Sequence, residues 1–258
     1  MTAITATAGT PGTAPSGFAR ILRVVRLNLA NPWTTVIMPW IVLGAIFVLS
    51  YGIWILVFLS VEPGGEAEAR EGMQWSGASM WIFVYLLVVA VQTMNLTFPL
   101  ALGYGSTRRD FYLGSAATFV VLSVMWALGL TILSAIESAT DGWGIGGRMF
   151  TTIFFGGDSP VWQRFVICLC ISLFFFFVGA AVASVYVRWR VLGMIVFFFL
   201  LGLALIGALA LIFAVDGWPA VGDFFVTNQA FGVSLWMLVP TAVAGLAGYL
   251  MIRGATPR

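Results

Sequence analysis

ALGYGSTRRDFYLGS, residues 101–115, places Gly-Ser-Thr-Arg-Arg-Asp between two apolar runs, 78–102 and 112–136. Each run reaches the roughly 20 residues that a helix needs to cross a bilayer. The stretch therefore reads as a short polar connection between two membrane spans. Which face of the membrane it occupies follows from the charges elsewhere in the chain.

Working outward, six apolar segments are long enough to span: 36–61, 78–102, 112–136, 161–187, 191–215 and 233–252. The first and fourth are long enough to tilt or to project beyond the bilayer. Composition agrees, with 61% of residues hydrophobic and 9% charged, where a soluble domain is about half apolar and about a quarter charged. The fold class expected is an all-α integral membrane protein with six transmembrane helices. Residues 33–258 form this membrane domain.

Orientation follows from arginine. With the N-terminus inside, the inner segments hold Arg20, Arg23, Arg26, Arg108, Arg109, Arg188, Arg190, Arg253 and Arg258, while Arg70, Arg148 and Arg164 lie outside. Basic residues in short loops are retained on the cytoplasmic side. Every acid except Asp110 falls outside in this arrangement, which is consistent with it. Both termini are expected in the cytoplasm, and the arginine loop with them. Exclusive use of Arg over Lys, with abundant Ala and Gly, points to a GC-rich bacterial genome and hence to a bacterial plasma membrane.

Residues 1–16, small, polar and Pro-containing, are expected to be a disordered tail without a signal-peptide core. Residues 17–32 follow as an amphipathic helix, ended by Asn31-Pro32. Phe18, Ile21, Leu22, Val25 and Leu29 share one face, and Arg20, Arg23 and Arg26 spread over the other. This pattern fits a helix lying in the headgroup region; a plain cytosolic extension of the first span is the alternative. The outer connections 138–160 and 216–232 are read either as short helices dipping into the outer leaflet or as ordinary folded loops.

Several kinds of chemistry are excluded. There is no His, so imidazole metal sites and His proton relays are ruled out. No phosphate-binding loop of the Gly-x-x-x-x-Gly-Lys type exists, since the chain has no Lys. A net charge of +2 is too weak for a nucleic-acid partner. Cys168 and Cys170, two apart in an apolar run, point to different helix faces and read as packing residues. Glu137, at the outer end of the third span, is expected to reach water. No catalytic residue, metal ligand or bound cofactor is assigned.

The polar residues within spans are mild. Gln92 and Asn95 can share a helix face, as can Thr93 and Thr97. They serve either interhelical hydrogen bonding or a translocation path or dimer interface. Small residues at helical spacing, Ala204/Ala208 and Ala244/Gly248, are read as marks of close helix packing. In the arginine loop, Gly103 and Gly105 end one helix, and Ser106 or Thr107 caps the next. Retention by Arg108 and Arg109 explains the charge, but neither the turn residues before it nor Phe111-Tyr112 after it. A capped turn offering two guanidinium groups, a carboxylate and aromatic rings suits protein docking.

FPLALGYGSTRRDFYLGSA, residues 98–116, resembles the loop after the second span in permease subunits of type-2 ATP-binding-cassette exporters. The matching residues are Gly105, Thr107, Arg108, Arg109, Asp110, Phe111, Tyr112 and Gly114. The resemblance implies a pore-forming half that pairs with a second permease copy, identical or different. It implies a separate cytoplasmic ATPase subunit, carrying ATP and Mg, docked on a coupling loop of Gly105, Ser106, Thr107, Arg108, Arg109, Asp110 and Phe111. The function expected is export of an amphipathic substrate such as a drug, lipid or peptide by alternating access. An ion-coupled secondary carrier and a non-transporting sensor or immunity subunit are the alternatives.

Overall fold

The computed structural model describes residues 17–62, 64–73 and 75–254; the tail 1–16 lies outside the described residues. Among these there is no strand. The helices are α1 (Gly17–Asn28), α2 (Met38–Ser60), α3 (Glu66–Met73), α4 (Trp81–Gln92), α5 (Phe98–Gly103), α6 (Arg108–Ala139), α7 (Val161–Ala214), α8 (Trp218–Trp236) and α9 (Leu238–Arg253). A wider, π-helical turn over Trp33–Ile37 leads into α2, and another over Thr93–Thr97 joins α4 to α5. The second of these precedes Pro99, whose missing N–H cannot complete the regular ladder.

Five stretches are long and apolar enough to cross a membrane: Trp33–Ser60, Trp81–Gly103, Arg108–Ala139, Val161–Ala214 and Trp218–Arg253. The six expected segments fall in these five stretches because 161–187 and 191–215 both lie in α7. At 54 residues, α7 would measure about 80 Å if straight, against about 30 Å of hydrocarbon. It is not regular throughout: Arg190 has φ 57° and ψ −150°, which breaks it. A second break, at Gln229 (φ 48°, ψ −170°), interrupts α8. The region 216–232 thus contains a short helix, whereas 138–160 is an irregular loop with only a π turn at Gly142–Gly146 and a 3-10 turn at Ile153–Phe155.

The first half of α7 is the hub, packing against α4, α6 and α9. Close approach is set by small residues. A Cβ at Gly179 would stand 2.6 Å from the Leu87 carbonyl oxygen, and one at Gly248 would stand 2.8 Å from the Tyr112 hydroxyl. Between these helices Phe83, Phe119, Trp126 and Phe176 are fully buried. Phe119 stacks on Phe176 with centroids 5.1 Å apart, and Trp40 of α2 stacks on Trp126 at 4.4 Å. Cys168 and Cys170 are buried free thiols. The packing expected at Gly248 is present, but Ala204 and Ala208 lie exposed, on a part of α7 that leaves the bundle.

Candidate functional site

The arginine loop is a rigid turn. Gly105, at φ 79°, adopts the left-handed conformation that costs glycine little. The Gly105 N–H donates to the Leu102 carbonyl at 2.9 Å and the Ser106 N–H to the Ala101 carbonyl at 3.0 Å. This is the Schellman ending that closes α5 on its own carbonyls. Thr107 then has extended φ/ψ, and its hydroxyl oxygen accepts from the Asp110 N–H at 3.1 Å, capping α6. Of the two candidate caps it is Thr107 that serves. One helix stops and the next starts within four residues, so the turn has little freedom.

Three helices fix it from behind. The Asp110 carboxylate is buried and accepts from Arg20 Nε at 2.8 Å. Its place in the first turn of α6 suits the partial positive charge there. Four residues on, Val24 fills the space left open by Gly114, where a Cβ would meet its side chain at 2.5 Å. Four further, the Asn28 amide donates to the hydroxyls of Ser115 and Thr118, both at 3.3 Å. Residues 20, 24 and 28 thus run parallel to 110, 114 and 118. α1 is keyed onto α6 by this ladder, leaving Phe18 and Leu22 exposed. From the far end of the chain, the Arg253 carbonyl accepts from Arg108 at 3.0 Å, and the α9 terminus is tied to the same turn.

The expected docking residues therefore divide. Asp110 and Phe111 are buried, Phe111 against Phe98 with centroids 5.2 Å apart. Arg108 is half-buried and committed to the α9 terminus. Tyr104, Gly105, Thr107 and Arg109 are exposed, with Tyr104 at 80%. Among the described residues Arg109 has no hydrogen-bond or ion-pair partner. Beside the turn, Arg20, Arg23, Leu27, Tyr104 and Gly105 line a groove of about 340 Å³. Arg23 in its wall is exposed, as is Arg26 further along α1. Cationic and aromatic groups with open approach suit an acidic protein surface.

The candidate path residues differ in their surroundings. Gln92 is exposed, Thr93 donates its hydroxyl back to the Val89 carbonyl at 2.9 Å, and Asn95 has a buried carbonyl oxygen without a partner.

At the opposite end of α6, Glu137 corrects the expectation that it reaches water: it is 1% exposed. Residues 142–151 fold back over it. Its carboxylate accepts from the N–H groups of Met149 (3.0 Å), Phe150 (3.1 Å) and Thr151 (2.8 Å), from Trp143 Nε1 (2.9 Å) and from the Thr151 hydroxyl (2.5 Å). A carboxylate so fully hydrogen-bonded tolerates burial and works as a structural pin. Arg164, also buried, donates to the Ser159 and Ser134 carbonyls and to the Ser138 hydroxyl. The acid and the base are satisfied separately, and together they anchor the loop between α6 and α7. The sequence signal for this was an acid at a helix end before a Gly-rich stretch. The identity of its donors, 12 to 14 residues downstream, has no local signature.

In the comparisons with known proteins, no family model, curated protein or solved structure matches this chain. Among the described residues no group of His, Cys, Asp or Glu has the arrangement of a metal site.

Proposed function

We propose that the chain is the transmembrane permease subunit of an ATP-driven exporter in a bacterial plasma membrane. The observation that carries this reading is the arginine loop. Its turn is clamped from inside by Thr107, by the Asp110–Arg20 pair and by the Arg108–Arg253 contact, while Arg109 and Tyr104 stand outward beside a basic groove. A rigid exposed cationic turn, tied to three helices at once, suits transfer of force from a soluble ATPase into the membrane. ATP and Mg belong on that partner chain, since this sequence has no phosphate loop.

On this reading the loop faces the cytoplasm with both termini, and the break at Arg190 makes α7 two crossings, giving six in all. Arg109, Arg23 and Tyr104 contact the ATPase; Asp110 and Phe111 hold the shape of the contact. The exposed half of α7, with Ala204 and Ala208 open, is the face left for a second permease copy.

Arg109→Ala is expected to leave membrane insertion unchanged while abolishing co-purification of the ATPase and permease-stimulated ATP hydrolysis. Asp110→Asn is expected to impair coupling less, by loosening α1. Full association and transport in Arg109→Ala would overturn the docking role. Transport in reconstituted vesicles that follows an ion gradient and ignores ATP would favour a secondary carrier, and no transport under either condition a sensor or immunity subunit.

A further inference from the structure

At the end of the bundle opposite the arginine loop lies an apolar cavity of about 790 Å³. It sits where α4 and α7 begin, and four parts of the chain line it. Trp75 and Met80 come from the connection leading into α4, Ile153 to Ser159 from the loop pinned by Glu137, Ile167 to Phe175 from α7, and Phe225 to Met237 from α8 and its junction with α9. From Ile167 to Phe175 the cavity follows α7 for about 12 Å. Its floor is buried at Ile167 and Ser234, whereas Trp75, Ile153, Phe154, Phe225 and Val226 on its rim are exposed.

Three features restrict the occupant. No charged side chain lines the cavity, which disfavours an ion or a charged headgroup inside it. Left empty, such a cavity forfeits the contacts of its walls; its rim is exposed, and in a chain that crosses a bilayer the filler at hand is hydrocarbon. The polar atoms are also nearly spent. The Ser159 hydroxyl donates to the Gly156 carbonyl at 2.6 Å and the Ser234 hydroxyl to the Phe231 carbonyl at 2.7 Å. Of the polar side chains in the lining, only the Gln229 amide and the Trp75 indole N–H, the latter on the exposed rim, hydrogen-bond to no described residue. Gln229 is also the residue at φ 48° and ψ −170°, a conformation kept almost entirely by glycine. Strain of this kind persists where surrounding structure imposes it, commonly at binding sites.

We infer that this cavity binds the acyl chain of a neutral single-chain amphiphile, entering from the surrounding lipid, with the Gln229 amide on its uncharged head. Volume and lining fall within the range of sites that enclose most of a small ligand with few polar contacts. This deepens the exporter reading by naming a ligand class. The binding itself needs neither nucleotide nor ATPase.

The test uses the purified full chain in phosphatidylcholine vesicles, without nucleotide, and a monoacylglycerol carrying a diazirine in mid-chain. Photolabelled peptides are expected from 153–157, 167–175 and 225–237, with labelling saturable and displaced by unlabelled monoacylglycerol better than by an anionic fatty acid of equal length. Val233→Trp, which puts an indole into the cavity, is expected to lower labelling about tenfold, and Leu246→Trp, outside it, to leave labelling unchanged. Size-exclusion profiles and thermal midpoints report whether the variants fold; if Val233→Trp does not, displacement on the unsubstituted chain decides. Gln229→Leu is expected to remove the preference for the monoacylglycerol over a diazirine alkane. Labelling spread evenly over all exposed helices and not displaceable would overturn the site. So would a Val226→Cys crosslink to a second copy that excludes the probe, since the cavity would then be a protein contact. Loss of ATPase docking in Arg109→Ala with labelling intact separates failure of the two readings.

Discussion

The two halves of α7 have the same gross chemistry and opposite fates. Residues 161–189 form the hub of the bundle, with Ile167, Phe176 and Ala180 fully buried. Residues 191–214 are almost wholly exposed, with Leu192 at 73% and Phe199 at 70%. The most apolar window of the helix, at mean hydropathy 3.0, has none of its residues buried inside the protein. Hydropathy measures exclusion from water, and hydrocarbon satisfies that as well as protein does. What recruits neighbours in a bilayer is fit. The first half has Gly179, Ala180, Ala183 and Ser184 where α4 and α9 approach, whereas the small residues of the second, Gly202, Ala204, Gly207 and Ala208, meet no other helix of this chain.

The sharpest way to break this contrast is a paired glycine substitution. Gly179→Leu sets a side chain against the Leu87 carbonyl and the Ala90 methyl, and a loss of about 3 kcal/mol is expected. Gly207→Leu has nothing within 4 Å of its Cβ, and a change within about 0.5 kcal/mol is expected. Thermal unfolding of the detergent-solubilised protein measures both. Equal destabilisation would show that residues 191–214 pack against protein after all.

A smaller contrast comes from the aromatic rings. Phe176→Ala removes a fully buried ring stacked on Phe119. Because lipid is as apolar as the core, only the packing part is lost, about 2 kcal/mol. Phe199→Ala, 70% exposed, is expected to change stability by less than about 0.5 kcal/mol, read on the same melting curves.

The smallest effect concerns the junction between the halves. Arg190, at φ 57° and ψ −150°, sits where glycine is at ease. Arg190→Gly relieves strain of about 1–3 kcal/mol against a backbone-entropy cost of about 1 kcal/mol, so a net gain of about 1 kcal/mol is expected. A raised melting temperature would support an intrinsic break. A fall would show that the Arg190 side chain, which lies over the Tyr186 ring at 5.9 Å, holds the junction in place.

How far the sequence could be read follows the range of the forces involved. Helix class and most span positions were legible, because burial of backbone groups in hydrocarbon leaves only helices and follows from runs of apolar residues. The first span, expected at 36–61, is Trp33–Ser60. The turn at Gly105 and the cap at Thr107 were legible because such motifs are local. The form of the junction at Arg188-Trp189-Arg190 was less so: it is so short that the chain stays helical to within one residue of the break. The π-helical turn over Thr93–Thr97 was not legible, because the expectation assumed 3.6 residues per turn throughout.

By itself, then, the sequence determined that the chain is a helical membrane protein, where its apolar runs and local caps lie, and that its arginines gather at short connections. Those properties depend on neighbours within a turn or on totals over a segment. Only the tertiary structure decided that Asp110 is turned inward onto Arg20, 90 residues away, leaving Arg109 as the outward cation. It also decided that Glu137 is sealed under a loop, that one half of α7 is core and the other surface, and that the start of α7 walls a cavity against Gln229. Each is a pairing of distant segments fixed by shape and by the need to satisfy buried polar groups, and no local pattern of residues encodes the partner.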